Sequence, residues 1–338
     1  MKILIVKIAA IGDVVMSLPL LSAIRDAHPN AHITWIAGSQ VASLLNATRQ
    51  IDKLIEVDES SLYKGGLSGR LSAMGGIWRR IGGRSYDLCL TCHPDPRYRW
   101  ISFPAFCKSR RALKRAKGRV NPVPGRYHGE EYVRLFSGND GASRPPIRFP
   151  EIALPESRFQ MNESAPIVAI APGGAKNILA DDALRRWPIE SYAALAKKLS
   201  RPPLRLALTG SASDNWVKNH FNGTDTIDLI GKLDLLDFIA FLKKCSLFIT
   251  HDSGPLHLAK LAGCPTIALF GPTMPSEKVG LGENIRVLWG GESLSCRPCY
   301  DGKTYAKCGN NLCLRFLSPE KVFETAGEIL QLHTSFSC

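Results

Sequence analysis

Short apolar runs of strand length alternate with helix-like stretches along this chain, and this alternation limits the fold more than any other feature. The run KILIV at 2–6 predicts a buried strand, apolar residues at helical spacing follow in GDVVMSLPLLSAIRDAHP, and HITWIAG at 32–38 predicts a second strand. A strand, a helix and a strand in so short a segment form a βαβ unit, which requires parallel strands. The sequence therefore predicts an α/β protein.

The same alternation restarts after a Pro-rich, polar stretch around 150–165, where no period is sustained. A chain of 338 residues is long enough for two domains. We predict two doubly wound domains, one over 1–155 and one over 165–338. The second would include a Cys-rich segment at 296–313 and a C-terminal helix that begins after Ser318.

Positive charge is concentrated in the first half of the chain. The net charge is +13, and residues 1–150 carry 23 Lys and Arg against 11 Asp and Glu. Its densest part is KSRRALKRAKGR at 108–119. We expect this half to meet something anionic, such as a nucleic acid, a membrane surface or an acidic sugar acceptor, unless the charge is a solvated face without a partner.

The N-terminal stretch superficially resembles a signal peptide, but Lys7 and Asp13 interrupt its apolar run. The apolar runs elsewhere have the length of strands and are too short to cross a bilayer. We therefore expect a cytoplasmic protein.

The loops after the carboxyl ends of the strands are the candidate functional segments, because ligands of open parallel sheets bind at that edge. After the first strand, Gly12 permits close approach and Asp13 opens a helix. An aspartate there can cap free N–H groups of the helix, or it can act as a general base at a cleft. Both interpretations stay open at this point.

Two loops of the second half predict close approach of a ligand. Gly173 and Gly174 lie in IAPGGAK, and Arg185 follows just before a helix that starts near a proline. The loop LTGSASD adds Gly210 at the same edge. These segments match neither a dinucleotide fingerprint nor a P-loop.

The stretch HDSGPLH at 251–257 leads from an apolar strand into a helix. Asp252, Ser253 and Gly254 lie at the helix N-terminus, where free N–H groups suit phosphate oxygens, and His257 lies in the first turn. Because Asp252 is itself anionic, it needs another partner, such as sugar hydroxyls. This combination favours a nucleotide-sugar over a bare nucleotide.

These motifs, taken in order, resemble the family-nine glycosyltransferases, the bacterial ADP-heptose:lipopolysaccharide heptosyltransferases. The resemblance rests on LIVKIAAIGDVVMSLP, PGGAK with RRWP, DLIGKLDLLDF and HDSGPLHLAKLAGCPTIALFGPTMP, and it covers nearly the whole chain. It implies the GT-B fold, in which two Rossmann-like domains face each other across a cleft. The N-terminal domain would bind the acceptor, and the C-terminal domain would bind the nucleotide-sugar.

The resemblance also implies the reaction and its residues. Heptose would pass from ADP-heptose to an anionic lipopolysaccharide inner-core acceptor, which carries Kdo or heptose and in some cases phosphate, with inversion at the anomeric carbon and no cofactor or divalent metal. Asp13 corresponds to the catalytic base. Arg185 would contact the diphosphate, Leu233 the adenine and Asp252 the heptose hydroxyls. The implied donor-binding positions are Gly12, Gly173, Gly174, Arg185, Gly210, Leu233, Asp252, Ser253, Gly254 and His257.

Three positions depart from the relatives. Arg185 stands where relatives carry a lysine, which keeps the charge but changes the geometry. Ala9 and Ala10 stand where relatives often carry hydroxyl residues just before the Gly-Asp pair.

Four of the ten cysteines fall in one short segment with the spacing C-x2-C-x8-C-x4-C, at Cys296, Cys299, Cys308 and Cys313. Such a set suits a tetrahedral structural site for iron or zinc. The autotransporter heptosyltransferases, a subset of the family, look similar here and bind iron through cysteines. The alternative is a loop of reduced cysteines packed by its own side chains.

The leading hypothesis is a lipopolysaccharide heptosyltransferase that is peripheral to the inner membrane and contacts it through the basic first half. A first alternative is transfer of heptose or another sugar to a protein acceptor, which would account for the cysteines. A remote alternative is a basic nucleic-acid-binding protein. The basic run at 108–119 lacks interleaved aromatic residues, so we expect no nucleic-acid partner.

Overall fold

Two parallel sheets, one in each half of the chain, form the framework of the protein. The structure is a computed structural model that describes residues 1–116, 119–121, 123–138, 144–156, 165–176, 181–280, 282, 284–301 and 304–331. Each sheet has helices packed on its faces, and apolar residues of the strands form the cores. The prediction of a doubly wound α/β protein is confirmed.

The first sheet has five parallel strands in the order β3-β2-β1-β4-β5. These strands are β1 (Lys2–Val6), β2 (His32–Gly38), β3 (Lys53–Val57), β4 (Ser85–Thr91) and β5 (Phe106–Ala112). The predicted strands at 2–6 and 32–38 are confirmed, and they pair in register, with Ile5 opposite Trp35. The basic run at 108–119 begins inside β5, and its residues 117 and 118 lie outside the described part of the chain.

The second sheet has six parallel strands in the order β10-β9-β8-β11-β12-β13. These strands are β8 (Ile167–Ala171), β9 (Arg205–Leu208), β10 (Ile227–Asp228), β11 (Leu247–His251), β12 (Thr266–Phe270) and β13 (Ile285–Trp289). A separate antiparallel ribbon pairs β6 (Lys114–Ala116) with β7 (Arg119–Asn121). Strands β8, β11 and β12 are buried along their whole length, which explains why they appear in the sequence as continuous apolar runs.

Thirteen α-helices connect and cover the strands in the described residues. Those of the first half are α1 (Ile11–Ser17), α2 (Pro19–Ala27), α3 (Ala42–Ala47), α4 (Glu59–Tyr63), α5 (Leu67–Ile81), α6 (Tyr98–Ile101) and α7 (His128–Ser137). Those of the second half are α8 (Ile189–Leu199), α9 (Leu235–Leu242), α10 (Gly254–Ala262), α11 (Pro275–Lys278), α12 (Leu312–Arg315) and α13 (Pro319–Leu330). The 3-10 helices are Ser39–Val41, Ala183–Arg185 and Ala212–Phe221.

The helix expected after β1 is divided into α1 and α2 at Leu18. Pro19 has no N–H to donate and its ring displaces the preceding carbonyl, so it starts a new helix rather than continuing the first. At the other end of the chain, Ser318 caps α13 as predicted, since its hydroxyl oxygen accepts the N–H of Lys321 at 3.2 Å.

The stretch between the two sheets contacts both cores. Phe149 and Ile152 pack against the core cluster of the first sheet and also against a cluster of the second. Residues 157–164 of the predicted boundary lie outside the described part of the chain. The division into domains 1–155 and 165–338 therefore stays a prediction.

Strand order in both sheets reverses direction at one position, between β1 and β4 in the first sheet and between β8 and β11 in the second. Loops that leave neighbouring strands on opposite sides of such a point open a crevice at the carboxyl edge. The loops with Asp13, Gly173 and Asp252 follow β1, β8 and β11 and so lie at these two points. None of the described helices is both long and apolar enough to cross a bilayer.

Candidate active site

Asp13 lies in the first turn of α1 and is held by a buried lysine. The Lys7 side chain, which follows β1 and is 1% exposed, places its ammonium Nζ 3.0 Å from Asp13 Oδ2. The same ammonium lies 5.7 Å from the centre of the Tyr132 ring. A buried ammonium group is strongly disfavoured without an anionic partner, so the two side chains fix each other. Sequence reasoning missed Lys7 as part of the site.

The Asp13 carboxylate is ionised and accessible at the same time. Burial alone would raise the pKa of Asp13, but the ammonium groups of Lys7 and Lys278 hold that pKa below its usual value. The Asp13 side chain keeps 38% of its surface exposed. An exposed carboxylate with one oxygen held by a lysine can accept a proton from a molecule in the cleft. It accepts no helix-capping bond, since no side-chain hydrogen bond caps α1.

Gly12 joins the two halves of the chain. A Cβ atom at this position would lie 2.5 Å from Cδ2 of His257, which is in α10 of the second half. Gly254, the first residue of α10, faces Ile11, where an added Cβ would make an ordinary contact with the Ile11 Cβ at 3.6 Å. Gly12 therefore lets α1 and α10 pack directly against each other. Burial lowers the pKa of His257 to about 4, so its imidazole is neutral near pH 7.

A second contact between the halves lies beside Asp13. The backbone N–H of Gly125 donates to Oε1 of Glu277 at 2.9 Å, and His128 Nε2 lies 4.0 Å from Glu277 Oε2. His128 is half-buried, and its removal from water lowers its pKa to about 3. Glu277 and Lys278 belong to α11, so this short helix brings charged groups of the second half toward the loop after β1.

Asp252 follows β11 and forms a buried ion pair with Arg185. Arg185 Nη2 lies 3.1 Å from Asp252 Oδ1, and the hydroxyl of Thr273 donates to Oδ2 at 2.7 Å. Burial would raise the pKa of Asp252, but the Arg185 guanidinium holds it at about 2. Asp182 also lies 3.4 Å from Arg185. Asp252 and Arg185, two predicted site residues from separate loops, are thus brought together in an ion pair that the sequence did not predict.

The Asp214 carboxylate lies so close to two loops that glycines are needed in them. It accepts the N–H of Gly174 at 2.9 Å and the N–H of Ser211 at 2.8 Å. A Cβ on Gly173 would lie 2.5 Å from the same carboxyl, and one on Gly210 would lie 3.0 Å away. Gly173, Gly174 and Gly210 therefore line one loop cluster around a buried anion. Sequence reasoning missed Asp214, although its place three residues after Ser211 has the spacing of a capping box.

The N-terminus of α10 lies in the same cluster with free donors. The hydroxyl of Ser253 donates to the carbonyl oxygen of His251 at 3.2 Å, so no side chain caps this helix. A Cβ on Gly174 would contact the Ser253 side chain at 3.5 Å. Pro255 has no N–H, and the N–H of Leu256 donates to the Ser253 carbonyl oxygen at 3.2 Å, so the backbone N–H of Gly254 is the donor that this helix end offers to an anionic ligand beside the glycine loop. Leu233 precedes α9, is half-buried and packs against a buried core cluster of the second sheet.

The four clustered cysteines do not form a metal-binding group in this arrangement. Cys296, Cys299, Cys308 and Cys313 are free thiols, and among the described residues no three His, Cys, Asp or Glu side chains are placed to hold an ion. Cys308 Sγ accepts the N–H of Asn311 at 3.3 Å instead. The predicted iron or zinc site gains no support from this geometry and stays a prediction.

Chemically, the arrangement offers a proton acceptor on one half and cations with free helix donors on the other. The profile of glycosyltransferase family 9 (heptosyltransferase) matches residues 106–308. The lipooligosaccharide heptosyltransferase 2 of Haemophilus ducreyi is 26% identical, and the match covers 98% of this chain and 99% of that protein.

Solved structures share the fold. A glycosyltransferase family 9 protein from Veillonella parvula matches with a TM-score of 0.75 at 22% identity and covers 98% of this chain and 97% of its own. The ADP-heptose lipopolysaccharide heptosyltransferase II of E. coli matches with a TM-score of 0.72 at 20% identity, over 98% of this chain and 99% of its own. The expectation of a GT-B fold is thereby confirmed. Because the family profile matches more than half of the sequence, the chain belongs to glycosyltransferase family 9, the heptosyltransferase family, and is an enzyme.

Proposed function

We propose that this enzyme transfers heptose from ADP-heptose to an anionic acceptor in the inner core of lipopolysaccharide, with Asp13 as the general base. The observation that carries the proposal is the Lys7–Asp13 pair, which offers an exposed carboxylate oxygen directly beside α10 of the other half. The donor named for the E. coli heptosyltransferase II and the acceptor class named for the Haemophilus relative suit this division of the site.

In the proposed reaction, the chain's own groups handle one proton and one leaving group. Asp13 accepts the proton of the acceptor hydroxyl while that oxygen bonds to the anomeric carbon of heptose. The bond from this carbon to the diphosphate oxygen breaks, and its electron pair leaves on ADP, with inversion. Arg185 and the backbone N–H of Gly254 at the start of α10 would stabilise the charge that develops on the diphosphate. This route uses no metal ion and no cofactor.

Most of the donor-binding positions have a part in this proposal. Gly173, Gly174 and Gly210 allow the backbone near Asp214 to approach the diphosphate, and Ser253 and Gly254 present their own backbone N–H groups at the start of α10. Leu233 would pack on the adenine. Asp252 would accept hydrogen bonds from heptose hydroxyls while holding Arg185 in place.

The basic first half is proposed to face the acceptor. An inner-core acceptor with carboxylate or phosphate groups would be attracted by the excess of Lys and Arg over Asp and Glu in residues 1–150. Because such an acceptor is attached to lipid, the enzyme would work as a cytoplasmic protein peripheral to the inner membrane.

The test is ADP release with ADP-heptose and a series of truncated core acceptors. We expect acceptor-dependent turnover that falls about 100- to 10,000-fold in Asp13→Ala, whereas the affinity for ADP is retained. Asp26→Ala, an exposed aspartate of α2, is the matched control and is expected to keep full turnover. If ADP-heptose binds but no core acceptor supports turnover, the lipopolysaccharide acceptor is wrong, and transfer to a protein becomes the leading hypothesis.

A further inference from the structure

An exposed aromatic patch lies on the first half of the protein, away from both cores. We use the name aromatic patch for Trp78, Trp100, Phe103 and Phe106, of which the last three are 59%, 64% and 69% exposed. Exposure of large aromatic side chains to water is unfavourable in free energy, and a contiguous exposed group of them marks an interaction surface.

The patch is ordered by contacts of its own. The indole Nε1 of Trp78 in α5 donates to the carbonyl oxygen of Trp100 in α6 at 3.0 Å. The rings of Trp100 and Phe103 lie 5.2 Å apart between centroids. The Arg110 guanidinium donates to the carbonyl oxygens of Ser102 and Ala105, which fixes the loop that carries Phe103. The exposed rings are therefore held in place and do not belong to a loose loop.

Helix α5 extends the patch with a second apolar stripe. Ile77 and Ile81 face the core of the first sheet, as one stripe of an ordinary amphipathic helix should. Leu67 and Leu71 lie one turn apart, are 76% and 62% exposed, and are followed at helical spacing by Trp78, whereas Met74 packs against the core of the first sheet. A helix that shows apolar residues to the solvent as well as to its core has something else to contact.

The charge around this surface is positive. Residues 60–86 contain five Lys or Arg and no Asp or Glu, and residues 96–126 contain no acidic residue either. Arg97 and Lys108 pair with neighbouring carboxylates. By contrast, no ion pair with a carboxylate holds Arg79, Arg80 or Arg99 among the described residues. A cavity of about 300 Å³ beside Phe103 is lined by Arg99, Arg110 and Arg111 and by no acidic side chain.

We propose that the aromatic patch, with the exposed stripe of α5 and the surrounding arginines, docks the enzyme on an anionic lipid bilayer. Aromatic rings favour the boundary between headgroups and acyl chains, and arginines attract anionic headgroups. A protein partner or a second copy of the chain would match the apolar rings, but neither would require an excess of Lys and Arg around them. The bilayer is therefore the occupant that this surface fits best.

The position of the patch relative to Asp13 suits a lipid-attached acceptor, and to this extent the inference rests on the proposed function. The Tyr98 ring in α6 stacks on His93, at 3.7 Å between centroids, in the loop that leaves the carboxyl end of β4. Strand β4 is the neighbour of β1, which leads to Asp13. One surface of α6 thus adjoins the base, while Trp100 on the same helix belongs to the patch.

The test is co-sedimentation of the full chain with vesicles of phosphatidylcholine alone or with phosphatidylglycerol. We expect binding that requires the anionic lipid and a blue shift of tryptophan fluorescence. Trp100→Ser with Phe103→Ser should weaken vesicle binding about tenfold or more. Arg79→Gln with Arg80→Gln should weaken it about fivefold for each charge removed.

Matched controls exist in the second half. Leu312→Ser with Phe316→Ser removes two exposed apolar side chains, and Lys197→Gln with Lys198→Gln removes two adjacent cations from the last turn of a helix, as in α5. Both controls should bind vesicles like the wild type. Circular dichroism and turnover of a soluble truncated acceptor should be unchanged in the patch variants, which excludes misfolding as the cause.

Three results would overturn the inference. They are no binding of the wild type to anionic vesicles, equal binding of the patch variants, and a wild-type oligomer that the patch variants convert to monomers. Vesicle binding is measured without donor or acceptor, so its outcome does not depend on Asp13 or on the reaction. If the proposed transfer fails while the protein still binds vesicles, the aromatic patch remains a membrane-docking surface and only the acceptor has to be reassigned.

Discussion

Lys7, which follows β1, places a buried positive charge in the first half of the protein, and Asp13 is its anionic partner. The ammonium is buried, whereas the carboxylate it holds is partly exposed. One oxygen of Asp13 is thereby fixed, and the carboxyl stays ionised because its pKa is held low. A base with a depressed pKa is a weaker proton acceptor, so we expect the anionic donor to offset part of the positive charge when it binds.

Replacing Lys7 tests this coupling. In Lys7→Met the burial of Asp13 is no longer opposed by the ammonium, so the Asp13 pKa rises and the acidic limb of kcat/KM moves to higher pH, by about 1 to 3 units. Lys7→Arg keeps the charge and should restore most of the profile. Lys2→Met, on the exposed end of the same strand, is the control. An unchanged acidic limb in Lys7→Met would show that Lys7 does not act through Asp13.

Gly12 is the residue where the two halves come closest. In Gly12→Ala the new Cβ overlaps the His257 ring, so either the ring or the packing of α1 on α10 must shift. We expect a loss of about 1–3 kcal/mol in the free energy of unfolding and a clear fall in turnover. Gly327→Ala in α13, where a Cβ meets open space, should stabilise the protein by about 0.5–1 kcal/mol. Chemical denaturation and ADP release measure both.

At the scale of elements, the glycine loop after β8 depends on a residue of the next loop. The Asp214 carboxylate binds the N–H groups of Gly174 and Ser211 and stands where a side chain on Gly173 would be. The short 3-10 helix Ala212–Phe221 thereby orders the proposed diphosphate loop. The loops after β8 and β9 are held together, because the Asp214 carboxylate accepts backbone N–H groups from both of them.

Asp214→Ala is expected to weaken ADP binding about tenfold, because the carboxylate that binds the N–H groups of the loop is lost. The unpaired N–H groups should also lower the free energy of unfolding by about 1–3 kcal/mol. Calorimetric titration with ADP and urea denaturation measure the two effects. Ser318→Ala removes the cap of α13 and should cost about 1 kcal/mol without changing ADP affinity. Equal ADP affinity in Asp214→Ala and the wild type would contradict this role.

At the scale of the whole molecule, the ion pair of Asp252 with Arg185 makes the stability of the protein depend on pH in the acidic range. The folded pKa of Asp252 is about 2, below the ordinary value of 3.8. A depressed folded pKa stabilises the protein above the unfolded pKa, and this stability is lost as the pH falls toward the folded value. Removing the carboxylate also takes from the half-buried Arg185 its ion pair with Asp252 and leaves Asp182, 3.4 Å away, as its carboxylate partner.

We therefore expect Asp252→Asn to be less stable than the wild type near pH 6 by about 2 kcal/mol or more. The difference should narrow between about pH 5 and pH 3, because the carboxylate of the unfolded wild type becomes protonated in that range. Urea midpoints at a series of pH values measure it. The exposed Asp225→Asn should show no such narrowing, and a constant difference for Asp252→Asn would refute the linkage.

Much of the framework was predictable from local pattern. Strands such as β1, β2 and β11 are buried on both faces, so their apolar runs stand out in the sequence. Strand β5 was missed because it lies at the edge of its sheet and carries mostly exposed and charged residues. The expected single helix after β1 was wrong, since Pro19 interrupts it.

The sequence by itself determined the alternation of strands and helices, and through it the loops that carry Asp13, Gly173 and Asp252. Such features depend on neighbours within a few positions, which periodicity and turn chemistry reveal. Only the tertiary structure decided that Lys7 holds Asp13, that Gly12 meets His257 and that Trp100 faces solvent. These outcomes depend on how separate elements pack, and no local pattern specifies which distant side chains share a buried space or which apolar stripe stays uncovered.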